Sequence, residues 1–145
     1  MNWKINEYKK YAATIRDAEK LYNIPEDLLA RILYQESKFD ADVIAGKGRH
    51  KLSAIGIAGF MPNIRGYGLM SDNGEDLRKH PIASIFVAAR YLRDLHNLFN
   101  EWKPAIMAFQ WGIENVLEHR RGTGKHPAPI KTSEYVAQIT ADVPC

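Results

Sequence analysis

Apolar residues recur every three or four positions through most of the chain, and this spacing predicts amphipathic α-helices. From Asn6 to Tyr22 the recurring positions are Tyr8, Tyr11, Ala12, Ile15, Ala18 and Tyr22. A second helix is predicted within residues 23–36, with Pro25 at its first helical position, where proline is favoured. Pro81 is predicted to open a long helix whose apolar face consists of Ile82, Ile85, Phe86, Ala89, Leu92, Leu95 and Phe99.

The remaining segments complete a helical pattern. Residues 103–112 are apolar nearly all round and predict a buried helix, followed by a short helix over residues 113–120. Thr132 is predicted to cap a last helix that continues through Ile139. Residues 38–73, rich in Gly, Asp and Ser, predict a loop with one or two short helical turns. We find no convincing strand pattern, repeat or linker, so residues 1–145 are expected to form one mainly α-helical domain.

One acidic residue interrupts this pattern. Glu36 follows Leu28, Leu29, Ile32 and Leu33 on the same helical face, where the periodicity calls for an apolar residue. Its carboxyl group is therefore expected in a poorly solvated place near a helix C-terminus, and both conditions raise the pKa of a carboxyl group. A carboxylic acid that keeps its proton near neutral pH can act as a general acid on a glycosidic bond.

Composition adds little to the choice of function. Of the 145 residues, 46% are hydrophobic and 26% are charged, as in ordinary globular proteins. No apolar run is long enough to cross a membrane, so no membrane insertion is expected. The net charge of +3 mildly favours an anionic partner such as nucleic acid or a bacterial wall. The first twenty residues lack an apolar core and a cleavage site, which predicts synthesis in the cytoplasm without a signal peptide.

Five short motifs follow one another at spacings that carry a family resemblance. They are Glu36-Ser37, the stretch 53–62 (SAIGIAGFMP), Tyr91-Leu92, the stretch 108–112 (AFQWG) and Tyr135-Val136. Each motif is weak alone, but in this order they resemble the catalytic domain of soluble lytic transglycosylases over roughly residues 5 to 140.

This resemblance implies a lysozyme-like fold and activity on the glycan strands of peptidoglycan. Members of this family cleave between N-acetylmuramic acid and N-acetylglucosamine and leave the muramic acid as a 1,6-anhydro ring. Glu36 would be the catalytic acid and then the base. Neither a metal nor an organic cofactor is implied, and we expect a monomer.

The same resemblance places further residues at the substrate. The implied substrate-binding residues are Ser37, Ser53, Gly59, Met61, Phe109, Gln110 and Tyr135. Ser53 would hold the substrate's N-acetyl group, and Tyr135 would approach Glu36. From the residues alone, core packing remains an alternative for Met61 and Phe109, whereas the amide of Gln110 in an apolar run requires partners.

Departures from the family pattern keep a second reaction open. Pro62, Phe109 and Gln110 stand where the family has Gln, Tyr and Asn. A lysozyme-type muramidase on the same fold, which adds water, is therefore an alternative. Asp40 and Asp42 are the nearest candidates for a second carboxyl group. Their polar post-helix segment instead favours local turn bonds.

Non-enzymatic functions are alternatives for this sequence. A wall-binding or virion structural protein could keep this fold without activity, although the Glu36-Ser37 pair argues against it. The basic stretch 119–126 lacks a nucleic-acid-binding motif, so no nucleic-acid partner is expected. Neither the five histidines nor Cys145 show metal-ligand spacing. A basic segment, 44–52, could contact the anionic wall or be a solvated loop. Without a signal peptide, the chain is predicted to be a bacteriophage endolysin or a virion-associated enzyme that acts on the periplasmic wall.

Overall fold

The helical periodicity of the sequence is realised in the structure, a computed structural model that describes residues 6–50, 52–122 and 128–141. The α-helices are α1 (Asn6–Leu21), α2 (Leu28–Ser37), α3 (Ala41–Ala45), α4 (Pro81–Phe99), α5 (Trp102–Trp111), α6 (Ile113–Arg121) and α7 (Ile130–Thr140). Short 3-10 helices cover Pro62–Tyr67 and Leu77–Lys79. The described residues contain isolated β-bridges but no strand. The predicted mainly α fold is confirmed.

The chain divides into two compact units, Met1–Arg90 and Tyr91–Cys145. In the first, α1 packs on α2, and the core includes Ile15, Leu28, Leu29, Ile32, Leu33, Phe39, Ile57 and Ile85. In the second, α5 packs on α6 and α7 around Leu92, Leu95, Ile106, Val116 and Ile139. The expectation that residues 1–145 form one domain stays a prediction.

Helix α2 begins three residues later than its sequence pattern predicts. Pro25 lies before the helix, and Asp27 adopts a left-handed conformation with φ 70°. The cause is Glu19, whose carboxyl group accepts hydrogen bonds from the backbone N–H groups of Asp27 (3.2 Å) and Leu29 (3.0 Å). A side chain from α1 therefore satisfies N–H groups that the helix start leaves without intrahelical partners.

The predicted helix cap at Thr132 is wrong. Helix α7 begins at Ile130, directly after Pro129, so Thr132 lies inside its first turn. The Thr132 hydroxyl is buried and donates a hydrogen bond to Oε1 of Gln110 at 2.7 Å. Because these two side chains satisfy one another between α5 and α7, the threonine is used for tertiary packing.

Two apolar faces are less buried than predicted. In α5, Ala105, Ile106 and Ala108 are buried, whereas Phe109 and Trp111 are half-buried. In α4, Ile82 is 50% exposed, although most of the predicted face is buried. None of the described helices is both long and apolar enough to cross a membrane. Lys51 of the basic segment, residues 123–126 of the basic stretch and Cys145 lie outside the described residues.

The buried Glu19 predicts that stability falls as pH rises through the neutral range. Glu19 is 1% exposed, and burial raises its pKa from 4.5 to about 7, against the lowering effect of its backbone hydrogen bonds. Above pH 4.5 the unfolded chain releases this proton while the folded protein keeps it, so folding becomes less favourable until the folded group also ionises. The free energy of unfolding should fall by up to roughly 3 kcal/mol between pH 4.5 and about 7.

Denaturant unfolding of the wild type and of Glu19→Gln at pH 5 and pH 8 measures this effect. Glutamine keeps only one of the two acceptor oxygens and does not titrate, so the variant should be less stable overall but its stability should depend less on pH. Equal pH dependence in the two proteins would show that Glu19 does not carry the effect.

Candidate active site around Glu36

The apolar face of helix α2 is buried, and Glu36 lies at the end of this face, in the last turn of the helix. Leu28, Leu29, Ile32 and Leu33 are fully buried, whereas Glu36 in the last turn is half-buried. The apolar stripe predicted from the sequence therefore exists. It ends in a carboxyl group that is partly covered yet keeps access to solvent, as a group that meets a substrate requires.

The backbone directly after Glu36 reverses sharply. Lys38 and Phe39 both have positive φ, 54° and 52°. The hydroxyl of Ser37 donates to the carbonyl of Leu33 (3.0 Å) and accepts from the N–H of Phe39 (3.3 Å). Ser37 is 3% exposed and Phe39 is 1% exposed. These contacts give Ser37 a structural role in closing the helix end, and its binding of substrate stays a prediction.

A tight loop faces the carboxyl group of Glu36. We name residues 53–60 the glycine loop. Its Ile55 and Phe60 exchange both backbone hydrogen bonds, at 3.0 and 3.2 Å, and the N–H of Gly59 donates to the carbonyl of Gly56 at 3.1 Å. Both glycines have positive φ, 90° for Gly56 and 61° for Gly59, a region that glycine enters without steric cost.

Gly59 lies directly against the candidate acid. A Cβ atom placed on Gly59 would lie 2.6 Å from Oε2 of Glu36 and 3.5 Å from its Cδ. Any other residue at this position would displace the carboxyl group or the loop. The backbone of the glycine loop therefore covers one side of the Glu36 carboxyl group.

The other glycine packs against the segment that carries Arg78. A Cβ atom on Gly56 would lie 2.0 Å from the carbonyl oxygen of Arg78, so only glycine fits there. Arg78 is fully buried and forms an ion pair with Asp76, with 2.7 Å between Nη2 and Oδ2. Sequence reasoning missed both residues. No local pattern marks Arg78, because its other partners, the carbonyls of Ser53 and Phe60, lie 25 and 18 residues away.

The two acids nearest to Glu36 in sequence are engaged in local contacts. Oδ1 of Asp40 accepts from the N–H groups of Asp42 (2.9 Å) and Val43 (3.1 Å) and so caps α3. Asp42 forms an exposed ion pair with Lys47 at 3.2 Å. The prediction that these residues make local bonds is confirmed, and neither contact directs a carboxylate toward Glu36.

The other predicted site residues divide between the two units. In the first, Ser53 is half-buried and Met61 is 51% exposed, which favours the predicted surface position of Met61 over core packing. In the second, the ring of Phe109 lies 5.5 Å from that of Tyr91, centroid to centroid, and Tyr135 is 8% exposed. The amide of Gln110 accepts a hydrogen bond from Thr132 inside the protein, a partner that the sequence did not identify. Substrate contacts of all these residues stay predictions.

The described residues offer no group of three or more His, Cys, Asp or Glu side chains arranged to hold a metal ion.

Comparison with known families decides what kind of protein carries this geometry. Residues 13–130, most of the chain, match the transglycosylase SLT domain. The chain belongs to this family. The match includes α2 with Glu36, the glycine loop and the Asp76–Arg78 pair, whereas Tyr135 lies beyond the matched residues. The family resemblance predicted from the five motifs is confirmed.

A solved structure shows the same fold. It is the X-ray structure of the lytic transglycosylase Slt from Pseudomonas aeruginosa, an inactive mutant with glutamate replaced by glutamine. The TM-score is 0.70 at 21% sequence identity, and the match covers 90% of the present chain. The SLT domain described here spans 23% of the length of that larger chain. At this identity the likeness supports the fold.

Proposed function

We propose that this SLT domain is a peptidoglycan lytic transglycosylase in which Glu36 is the sole catalytic carboxyl group. The observation that carries the proposal is the contact between Glu36 and Gly59. It joins the acid at the end of α2 to the glycine loop, the two parts of the sequence that most resemble the family's site. Membership of the SLT family supplies the reaction class.

The proposed reaction uses one carboxyl group twice. Glu36, protonated beside the Gly59 backbone and at the C-terminal end of α2, would donate its proton to the glycosidic oxygen. The substrate's N-acetyl group would stabilise the positive charge at C1 of the muramic acid. The Glu36 carboxylate would then accept the proton of the C6 hydroxyl as that oxygen attacks C1. The products are a shortened glycan and a 1,6-anhydro end.

The contacts of the neighbouring acids support a mechanism with a single catalytic carboxyl group. An enzyme that uses a carboxylate nucleophile needs a second carboxyl group about 5 Å from the acid. Asp40 and Asp42, the candidates for that group, are occupied by the cap of α3 and by Lys47. A mechanism in which the substrate provides its own nucleophile requires neither residue.

Around the acid, the other predicted residues would bind the sugar. Ser53 at the start of the glycine loop would hold the N-acetyl group, and Gly59 and Met61 would line the groove beside Glu36. Phe109, Gln110 and Tyr135 are proposed to contact the glycan as well. The structure of the related transglycosylase is of an inactive variant in which one glutamate is replaced by glutamine, which supports a requirement for a glutamate in this fold.

Mass spectrometry of fragments released from purified peptidoglycan tests the proposal. We expect fragments that end in 1,6-anhydromuramic acid, lighter by one water than the hydrolytic products and without a reducing end. Reducing-end fragments would instead establish the muramidase alternative, which the departures at Pro62, Phe109 and Gln110 keep in view. Intact peptidoglycan after prolonged incubation would contradict both enzymatic assignments and favour a wall-binding role.

The biological setting is a separate part of the proposal. An endolysin would act on the periplasmic face of the wall after release from the cytoplasm, whereas a virion enzyme would act from outside. The fold of an SLT domain serves either setting, and the bacteriophage origin stays a prediction.

A further inference from the structure

Arg78 is a fully buried arginine, and all three nitrogen atoms of its guanidinium group donate hydrogen bonds. Nε and Nη2 donate to the two carboxylate oxygens of Asp76, at 3.0 Å to Oδ1 and 2.7 Å to Oδ2. Asp76 also accepts the backbone N–H of Arg78 at 3.1 Å. A buried charge of this kind is costly unless it is paired and fully hydrogen-bonded, and this pairing meets that requirement.

The remaining nitrogen of the guanidinium group joins the two ends of the glycine loop. Nη1 donates to the carbonyl oxygens of both Ser53 (2.9 Å) and Phe60 (2.8 Å). One nitrogen thereby fixes the first and last residues of the loop relative to each other. A lysine ammonium could not bind Asp76 in this bidentate way while reaching both carbonyls, because it lacks the planar fork of arginine.

The backbone of Arg78 supports the same loop from a second direction. Its carbonyl oxygen lies so close to Gly56 that a Cβ there would approach to 2.0 Å. The hydroxyl of the buried Ser84 donates to that carbonyl oxygen at 3.1 Å. Arg78 therefore contacts the loop at its ends through the side chain and near its middle through the backbone.

We propose that Arg78, held by Asp76, is a positioning residue for the catalytic acid. The inference rests on the proposed function and deepens it. Arg78 fixes the glycine loop, and the loop places Gly59 against Oε2 of Glu36. Nη1 of Arg78 also holds the backbone carbonyl of Ser53. Arg78 thus aligns the acid and the proposed N-acetyl contact together, although it touches neither the carboxyl group nor the substrate.

The test compares Arg78→Lys with Arg78→Met and with Asp76→Asn. Each variant is assayed on soluble, uncrosslinked glycan strands at a temperature where circular dichroism shows it to be folded. Because the loss concerns alignment in the transition state, kcat should fall about tenfold to a hundredfold for Arg78→Lys, with KM changed much less. The pH dependence of kcat should also change, since the surroundings of the Glu36 carboxyl group are altered. Lysine should not rescue the methionine variant.

Arg16→Lys is the matched control. It makes the same change at an arginine whose ion-pair partners, Glu19 (3.5 Å) and Glu26 (3.9 Å), lie outside the glycine loop. We expect at most a small loss of stability, with unchanged kcat and an unchanged pH profile. If Arg78→Lys does not fold, Asp76→Asn carries the test, because it weakens the hold on Arg78 while retaining a side chain of the same size.

Two contrary outcomes are distinct. Folded Arg78→Lys or Asp76→Asn with wild-type kcat and a wild-type pH profile would overturn the role of Arg78 and leave the proposed function standing. A wild-type protein that releases no fragments would overturn the proposed function, and the positioning role with it.

Discussion

Replacement of Glu36 by glutamine is expected to abolish the release of fragments from peptidoglycan while the fold is retained. Glutamine has almost the same shape as glutamate but can neither donate the proton to the glycosidic oxygen nor accept one from the C6 hydroxyl. Removal of general acid and base catalysis from one residue should lower the rate by at least roughly a thousandfold. The rate is measured from the appearance of anhydromuramic ends.

Thermal unfolding of Glu36→Gln should show equal or slightly higher stability, because the variant no longer holds a carboxyl group at the end of an apolar face. Glu26→Gln serves as the control. Glu26 is exposed and 3.9 Å from Arg16, so its loss should change neither activity nor stability measurably. Glycan cleavage by Glu36→Gln at the wild-type rate would remove Glu36 from the mechanism.

The second large effect is expected for Gly59→Ala. The new methyl group would lie 2.6 Å from Oε2 of Glu36, well inside van der Waals contact. Since the carboxyl group ends a flexible side chain, it can move aside at little cost in stability, but it then leaves its place. Displacement of a catalytic group by about 1 Å can cost on the order of a hundredfold in rate. We expect a loss of that size in kcat.

A strained backbone alone must be separated from this displacement. Alanine at φ 61° costs about 1 to 2 kcal/mol, whatever it contacts. Gly122→Ala supplies the comparison, because Gly122 has φ 70° and a Cβ there would meet no atom of the described residues within 4 Å. Both variants should lose similar stability in denaturant unfolding, and only Gly59→Ala should lose activity. Equal activity in the two would show that the Gly59 contact does not position the acid.

Much of the fold follows from periodicity in the sequence. Helix α1 and the long helix α4 begin where the apolar spacing and Pro81 predict, because each buries apolar residues that recur at helical spacing. The sequence pattern predicts a start of α2 that is three residues too early, because the start depends on a side chain from another helix. Glu19 accepts hydrogen bonds from backbone N–H groups eight and ten residues further along the chain, and Pro25 alone does not indicate this contact.

The residues of the candidate site also divide into those that the sequence reveals and those that it does not. Glu36 is recognisable because it breaks a local pattern, and Gly59 because it belongs to a motif of closely spaced residues. Arg78 is not recognisable, since its environment is assembled from residues far apart in the chain. Thr132 shows the same limit. Threonine is a residue type that often caps helices, but here its hydroxyl group donates a hydrogen bond to the amide oxygen of Gln110 in another helix.

The hold of Arg78 on the glycine loop has a consequence for synthesis of the protein. A ribosome completes α2 and Glu36 first, then the loop, and only afterwards Asp76, Arg78 and the Ser84 that supports the Arg78 carbonyl. A nascent chain that stops short of Asp76 contains the acid and both glycines but has no guanidinium group to tie the loop ends together. The aligned acid should therefore appear late in translation, and truncated products of the gene should be poor enzymes even though they contain Glu36.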